Sequence, residues 1–152
     1  NVPMGGDMIQ EKGKNPRFLV WAISDPLGAP LQRVQIIKGW LADGEHREKV
    51  FDVACSDGQS INPLNHRCPD NDAKVNLDDC SISREKGNAE IKTFWQDPEF
   101  SHDQEAFYYA RVLENPTCRW STWDSVRAKE KPRSDIPVTI QERAWSSPIW
   151  IK

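Results

Sequence analysis

Apolar residues recur at every second position through several short stretches of the chain, the period of a strand with one buried face. Arg17-Phe18-Leu19-Val20-Trp21-Ala22-Ile23 is a β-rich run closed by the turn signal Ser24-Asp25-Pro26. Between Leu31 and Trp40, Val34 and Ile36 fall on one face, with Arg33, Gln35 and Ile37 on the other. Ala42-Asp43-Gly44-Glu45 reads as a reversal. Lys49 to Ala54 reads as the returning strand, with Val50, Asp52 and Ala54 alternating against Phe51 and Val53. Together these segments predict a β-hairpin with a longer loop. A loop-rich stretch follows from Ser56 to Asp79, with a short strand predicted at Lys74-Val75-Asn76-Leu77. Glu90 to Trp95 alternates again and stops at Asp97-Pro98. Ala106-Phe107-Tyr108-Tyr109-Ala110-Arg111-Val112-Leu113 is the strongest strand signal, since its aromatic and aliphatic residues suit a pleated, largely buried surface. Pro148-Ile149-Trp150-Ile151 predicts the last strand, with proline at its start, where a missing N–H is tolerated.

One helix is predicted, near residues 121–129. Ser121-Thr122-Trp123-Asp124 offers a capping hydroxyl with an acid three residues on, and Lys131-Pro132 stops the helix. No repeat recurs at a fixed period. Short strands at this spacing, with turn residues between them, predict an all-β fold: an antiparallel β-sandwich, immunoglobulin-like or related, with an open barrel as the alternative. The 152 residues make one domain, large enough to support its own core. Residues 1–16 read as a segment leading in, and 17–152 as the sandwich.

Composition narrows the partners. Twenty basic and 23 acidic residues give a net charge of −3, so no basic excess exists to follow a phosphate backbone, and nucleic acid is not an expected partner. No apolar run approaches the ~20 residues that span a bilayer, so no membrane span is expected. Seven tryptophans argue against disorder.

Cys55, Cys68, Cys80 and Cys118 form an even set that permits two disulfides in three pairings. Zinc is the competing reading, through His66 and Cys68, but no pair of cysteines has the short spacing usual in structural zinc sites. Pairing Cys55 with Cys68 and Cys80 with Cys118 is favoured, because each bridge then closes a loop at the end of a predicted strand. Disulfides imply an oxidising compartment, periplasmic or extracellular. Each would add about 2–4 kcal/mol by restricting the unfolded chain.

Candidate chemistry is sparse. His46, His66 and His102 form neither a His-x-His nor a His-Glu-x-x-His pattern, and no Gly-x-Ser-x-Gly elbow is present. Met4-Gly5-Gly6-Asp7 lacks the lysine and hydroxyl of a phosphate loop. Asp70-Asn71-Asp72 and Asp78-Asp79 lack the spacing of a calcium loop. No catalytic residue, metal site or cofactor is therefore assigned to this chain. Two segments stand out, Glu114-Asn115-Pro116-Thr117-Cys118-Arg119-Trp120-Ser121 and Gln141-Glu142-Arg143-Ala144-Trp145-Ser146-Ser147. Each sets an arginine beside a tryptophan, and guanidinium stacked on indole can build an anion- or sugar-binding surface. The alternative is an arginine–carboxylate network with Glu114 and Glu142 that only fixes loops.

Several stretches, taken in order, resemble the C-terminal part of a family catalogued as domain of unknown function 3604. They are Val2-Pro3-Met4-Gly5-Gly6-Asp7, Arg33 to Trp40, Val50 to Ala54, Ala106 to Glu114, Arg119-Trp120-Ser121-Thr122 and Gln141 to Trp150. The resemblance implies full-length members that look like metal-dependent hydrolases related to the polymerase-and-histidinol-phosphatase superfamily, with divalent-metal ligands in an N-terminal region bearing His-x-His signatures. That region is not in this chain. The chain's opening at Asn1 likewise reads as the interior of a longer polypeptide. The resemblance therefore implies a β-rich accessory domain whose partner is its own N-terminal catalytic domain, with the opening glycine motif around Asp7 as the joint. Arg119, Trp120, Glu142 and Arg143 are then candidates for the interdomain face, and either arginine could orient an anionic substrate by a bidentate contact. An independent carbohydrate- or cell-surface-binding module is the alternative, with exposed indoles as stacking platforms. Buried tryptophans with an apolar patch near residues 1–16 would favour the docked domain. An exposed row of indoles in a groove would favour the binder.

Overall fold

The computed structural model describes residues 1–9 and 13–152. The period-two stretches form strands, and the fold is all-β with two layers. The strands are β1 (Asp7–Met8), β2 (Arg17–Ile23), β3 (Leu31–Ala42), β4 (Glu45–Cys55), β5 (Glu90–Gln96), β6 (Ala106–Glu114), β7 (Thr117–Cys118), β8 (Thr139–Ile140), β9 (Arg143–Trp145) and β10 (Ile149–Ile151). The helix α1 (Trp120–Ala128) lies between β7 and β8. One layer is a six-stranded sheet in the order β1-β10-β6-β3-β4, with β9 beside β10 on the same edge of β6. All its pairings are antiparallel except β1 with β10. The other layer is the antiparallel pair β2-β5, and β7-β8 is a separate two-stranded arm.

The core lies between the layers. Phe18 of β2 and Ile91 of β5 pack onto Val34, Ile36, Phe51 and Tyr108 of the large sheet. The Phe18 and Tyr108 rings are 4.7 Å apart, and Trp95 stands 5.1 Å from Phe51. β3 is central and buried on both faces. Its core-facing row contains a charge. Lys38 Nζ lies 2.8 Å from Asp97 Oδ2, and both side chains are buried. Asp97 also accepts the Tyr108 hydroxyl at 2.7 Å.

The loop-rich stretch has little apolar core, and polar groups hold it. Buried Asn71 donates to Asn115 Oδ1 at 2.9 Å and accepts from Gln32 Nε2 at 3.2 Å. Buried Asp52 accepts from Gln35 Nε2 at 2.6 Å, from Arg33 Nη1 at 3.1 Å and from the Cys68 N–H at 2.7 Å. Disulfides join Cys55 to Cys68 and Cys80 to Cys118, the pairing favoured by loop closure. They fit an oxidising environment. Among the described residues, no helix is long and apolar enough to cross a membrane.

Five local expectations differ from the structure. The β3–β4 hairpin has a two-residue Asp43-Gly44 turn instead of a longer loop. Both residues have positive φ, 56° and 77°, the conformation of the type I′ turn that matches strand twist. A bulge at Val34/Gln35 sets Ala54 opposite Val34, so Ala54 turns to the core side away from Val50 and Asp52. The helix begins at Trp120, with Arg119 at the N-cap position two residues before Ser121 and no side-chain cap, and the Ser121 carbonyl lies inside it accepting from Ser125 Oγ. Thr122 is buried and donates to the Val138 carbonyl at 2.7 Å, so tertiary docking replaces the capping box. Residues 74–77 form only a bridge between Val75 and Ile82. Within the leading-in segment 1–16, Asp7–Met8 adds an edge strand to the large sheet.

Candidate functional site

Because the small layer has two strands and the large one six, part of the large sheet's inner face lies uncovered. An apolar groove of about 1140 Å³ opens there. Its floor includes Ala110, Val112, Ala144 and Ile149 from β6, β9 and β10. Val20 and Ala22 of β2 form one wall, and Val2, Pro3 and Met4 also line it. That N-terminal stretch is tied down by the Gly5 N–H, which donates to the Pro148 carbonyl at 2.9 Å. Gly5 has φ of 87°, which a side chain would strain.

Charge collects at one margin of the groove, where Glu114, Glu142 and Arg143 line it. Burial raises the Glu114 carboxyl above the usual carboxylate range, and the charges of Glu142 and Asp25 raise it further. An Ala29 N–H bond partly offsets them. Among the described residues, none of these three carboxylates has an ion-pair partner.

The sequence candidates separate. Glu142 and Arg143 line the groove. Arg143 Nε donates to the Gln141 carbonyl at 3.4 Å, and the Glu142 carbonyl accepts the Glu114 N–H at 3.0 Å. Arg119 and Trp120 stand at the start of α1 and do not line it. The Arg119 N–H donates to the Val138 carbonyl, while its buried Nε has no acceptor among the described residues. Asp7 is exposed and pairs with Lys152 at 2.6 Å. Neither Arg119 nor Arg143 forms the ion-pair network with Glu114 and Glu142, or stacks on a tryptophan, among the described residues. The apolar groove lining escaped motif reasoning. Its signal was the β2 run itself, which is apolar on both of its faces.

The outer face of the large sheet carries a second surface. Trp150 pairs with Phe107 across the β10–β6 ladder, and Trp145 pairs with Arg111 across the β9–β6 ladder. The Phe107 ring is 5.0 Å from Trp150 and 6.4 Å from Tyr109. Trp145 and Trp150 are 58% and 46% exposed, so this strip offers two accessible indoles, of which Trp145 also borders the groove. Arg111 Nε donates to Gln35 Oε1 at 2.7 Å, which holds the guanidinium along the strip. The Tyr109 hydroxyl is pushed up by burial and by the nearby Glu48 charge, against Arg111.

Metal-ligating groups do not converge. Among the described residues, no three His, Cys, Asp or Glu side chains stand close enough together to hold an ion. His66 lies beside Phe51 and Glu99, and His102 against Phe100.

Fold and groove together define a two-layer all-β domain whose inner face is half covered. A model of the family described as Protein of unknown function (DUF3604) matches residues 1–152, and the chain belongs to that family. No curated protein and no solved structure matches the chain.

Proposed function

We propose that this chain is the non-catalytic C-terminal accessory domain of a metal-dependent hydrolase, docking on and stabilising its catalytic domain in the periplasm or outside the cell. The uncovered apolar groove carries the reading. A contiguous apolar surface of this kind marks an interaction site, because leaving it in water forfeits burial worth roughly 25 cal/mol per Å². Residues 2–4 line that groove, so chain arriving from an N-terminal neighbour would enter beside it. The divalent metal belongs, in this reading, to the catalytic domain, where the resemblance places its ligands; among the described residues no three metal-ligating side chains converge. Ala144→Arg tests the reading by placing a charge on the exposed groove floor without touching the core. The thermal midpoint of the catalytic region should rise when it is joined to wild-type 1–152 and should fall back with A144R. An unchanged midpoint with and without 1–152 would overturn the proposal.

The outer aromatic strip favours a second reading, an independent carbohydrate- or cell-surface-binding module. Trp145, Trp150 and Phe107 would stack on sugar faces. Retardation of the chain in gels containing soluble polysaccharide, abolished by Trp145→Ala with Trp150→Ala, would support it. Equal mobility on every polymer tried would remove it.

A further inference from the structure

The strand β2 has the composition of an interior strand and the position of an edge. Its inward residues Phe18, Val20 and Ala22 face the core and the groove. The alternate residues Leu19, Trp21 and Ile23 are apolar too, 52%, 59% and 69% exposed, and also border the groove. Near-continuous apolar runs belong to strands buried on both faces. Yet β2 pairs only with β5, and its other edge makes no ladder among the described residues. Natural edge strands are blunted by charge, proline or bulges. β5 follows that rule more closely, with Glu90, Lys92 and Gln96 turned outward beside one apolar residue, Phe94. β2 has only Arg17, at its first residue, and its register with β5 runs without a bulge from Arg17 to Ile23.

We propose that β2 is the acceptor edge for a β-strand supplied by the catalytic domain this chain serves, a strand with apolar side chains turned into the groove and a basic residue set against Glu114 and Glu142. The proposal rests on the docking reading above and specifies its geometry. A third strand would lie about 4.8 Å beyond β2, over the uncovered side of the large sheet. Its backbone would satisfy the free edge, and its alternate side chains would fill the space above Ala110, Val112 and Ala144, the mode known as β-augmentation. The cation follows from charge complementarity: the groove margin gathers Glu114 and Glu142, with Asp25 close enough to add its charge, and none of the three is paired among the described residues.

A second copy of the chain does not fit as the occupant. The six-stranded sheet extends beneath the space beside β2, where β6, β9 and β10 line the groove. Pairing β2 with another β2 would drive the partner's own six-stranded sheet into that same space. Its Phe18 is also committed to its own core, so neither groove would be filled.

Hydrogen exchange resolved to single amides, on 1–152 alone and on the gene's complete polypeptide, tests this. The β2 amides that point away from β5 should exchange readily in the isolated chain. They should slow by at least about tenfold in the complete protein, where exchange requires the added strand to open. Glu142→Lys in the complete protein should return them toward the isolated rate, while the urea midpoint of isolated 1–152 does not fall, since the change removes a like charge beside Glu114. Protection confined to another face, with β2 exchanging equally in both proteins, would overturn strand addition and leave docking standing. Equal exchange everywhere would overturn both. Protection of β2 in 1–152 alone, with a dimer in sedimentation, would overturn the proposal in favour of a second copy. Retained protection in E142K would overturn the basic residue.

Discussion

Lys38 and Asp97 meet 2.8 Å apart inside the sandwich, with almost no exposure of either side chain. Asp97 is also held by the Tyr108 hydroxyl and by the Glu99 N–H at 2.8 Å. Lys38 gives a further bond to the Glu99 carbonyl at 3.0 Å. Removing one charge strands the other in a low-dielectric interior. Lys38→Met is therefore expected to cost about 3–5 kcal/mol. Adding Asp97→Asn should return part of that loss, since asparagine can still accept from Tyr108 without carrying charge. Urea midpoints of the two variants test this, and a double variant weaker than K38M would contradict it.

Gly39 is required by its neighbour across the ladder. The Phe107 ring lies over it, and a Cβ at Gly39 would fall 2.3 Å from a ring carbon. Gly39→Ala is expected to cost about 1–3 kcal/mol, the range for forced overpacking. In a Phe107→Ala background the same substitution should be close to neutral. A double-mutant cycle in denaturant measures the coupling.

The two cystines close loops of different length, 13 and 38 residues apart in sequence. In the chain-entropy account the Cys80–Cys118 bridge contributes about 1 kcal/mol more than Cys55–Cys68. Replacing Cys80 and Cys118 by serine should lower the urea midpoint further than replacing Cys55 and Cys68. Limited proteolysis should then cut between residues 56 and 89 first.

Glu114 sets a pH dependence. Burial, then Glu142 and Asp25, raise its folded value above the ordinary 4.5. The folded chain thus holds this proton more tightly than the unfolded chain. Its contribution to stability is fully present below 4.5 and is lost as pH rises through the folded value. Glu114→Gln, which can still accept the Ala29 N–H, should be more stable than wild type at pH 7, and the gain should vanish under strongly acid conditions. Thermal unfolding across pH reads the difference. A gain that persists in acid would point to another cause.

The long strands were legible because β3 and β5 alternate over part of their length, β2 and β6 are β-branched and aromatic runs of seven and nine residues, and each stops at a turn signal. β1, β7, β8 and β9 have two or three residues, too few to show a period, and tertiary partners create them. Lys38 was hidden differently. It sits in phase with Val34, Ile36 and Trp40, the core row, but its partner lies 59 positions away and nothing local announces the pair. The tip of the β3–β4 hairpin is exposed and polar, so alternation fades before the Asp43-Gly44 turn is reached. The pairing of cystines followed from loop closure, whereas Arg119 and Trp120 resembled Arg143 and Trp145 in local composition and lie apart from the groove. Composition records which side chains are available; only strand order decides which ones share a surface.

β1 and β10, from opposite ends of the sequence, run side by side, and Lys152 reaches Asp7. This seam cannot close on a ribosome until Ile149–Ile151 has emerged, so this margin of the large sheet is sealed after the β3, β4 and β6 ladders. The same adjacency makes isolated 1–152 a candidate for circular permutation: a short tether from residue 152 to residue 1, with a new opening between Asp43 and Gly44, would preserve every long ladder.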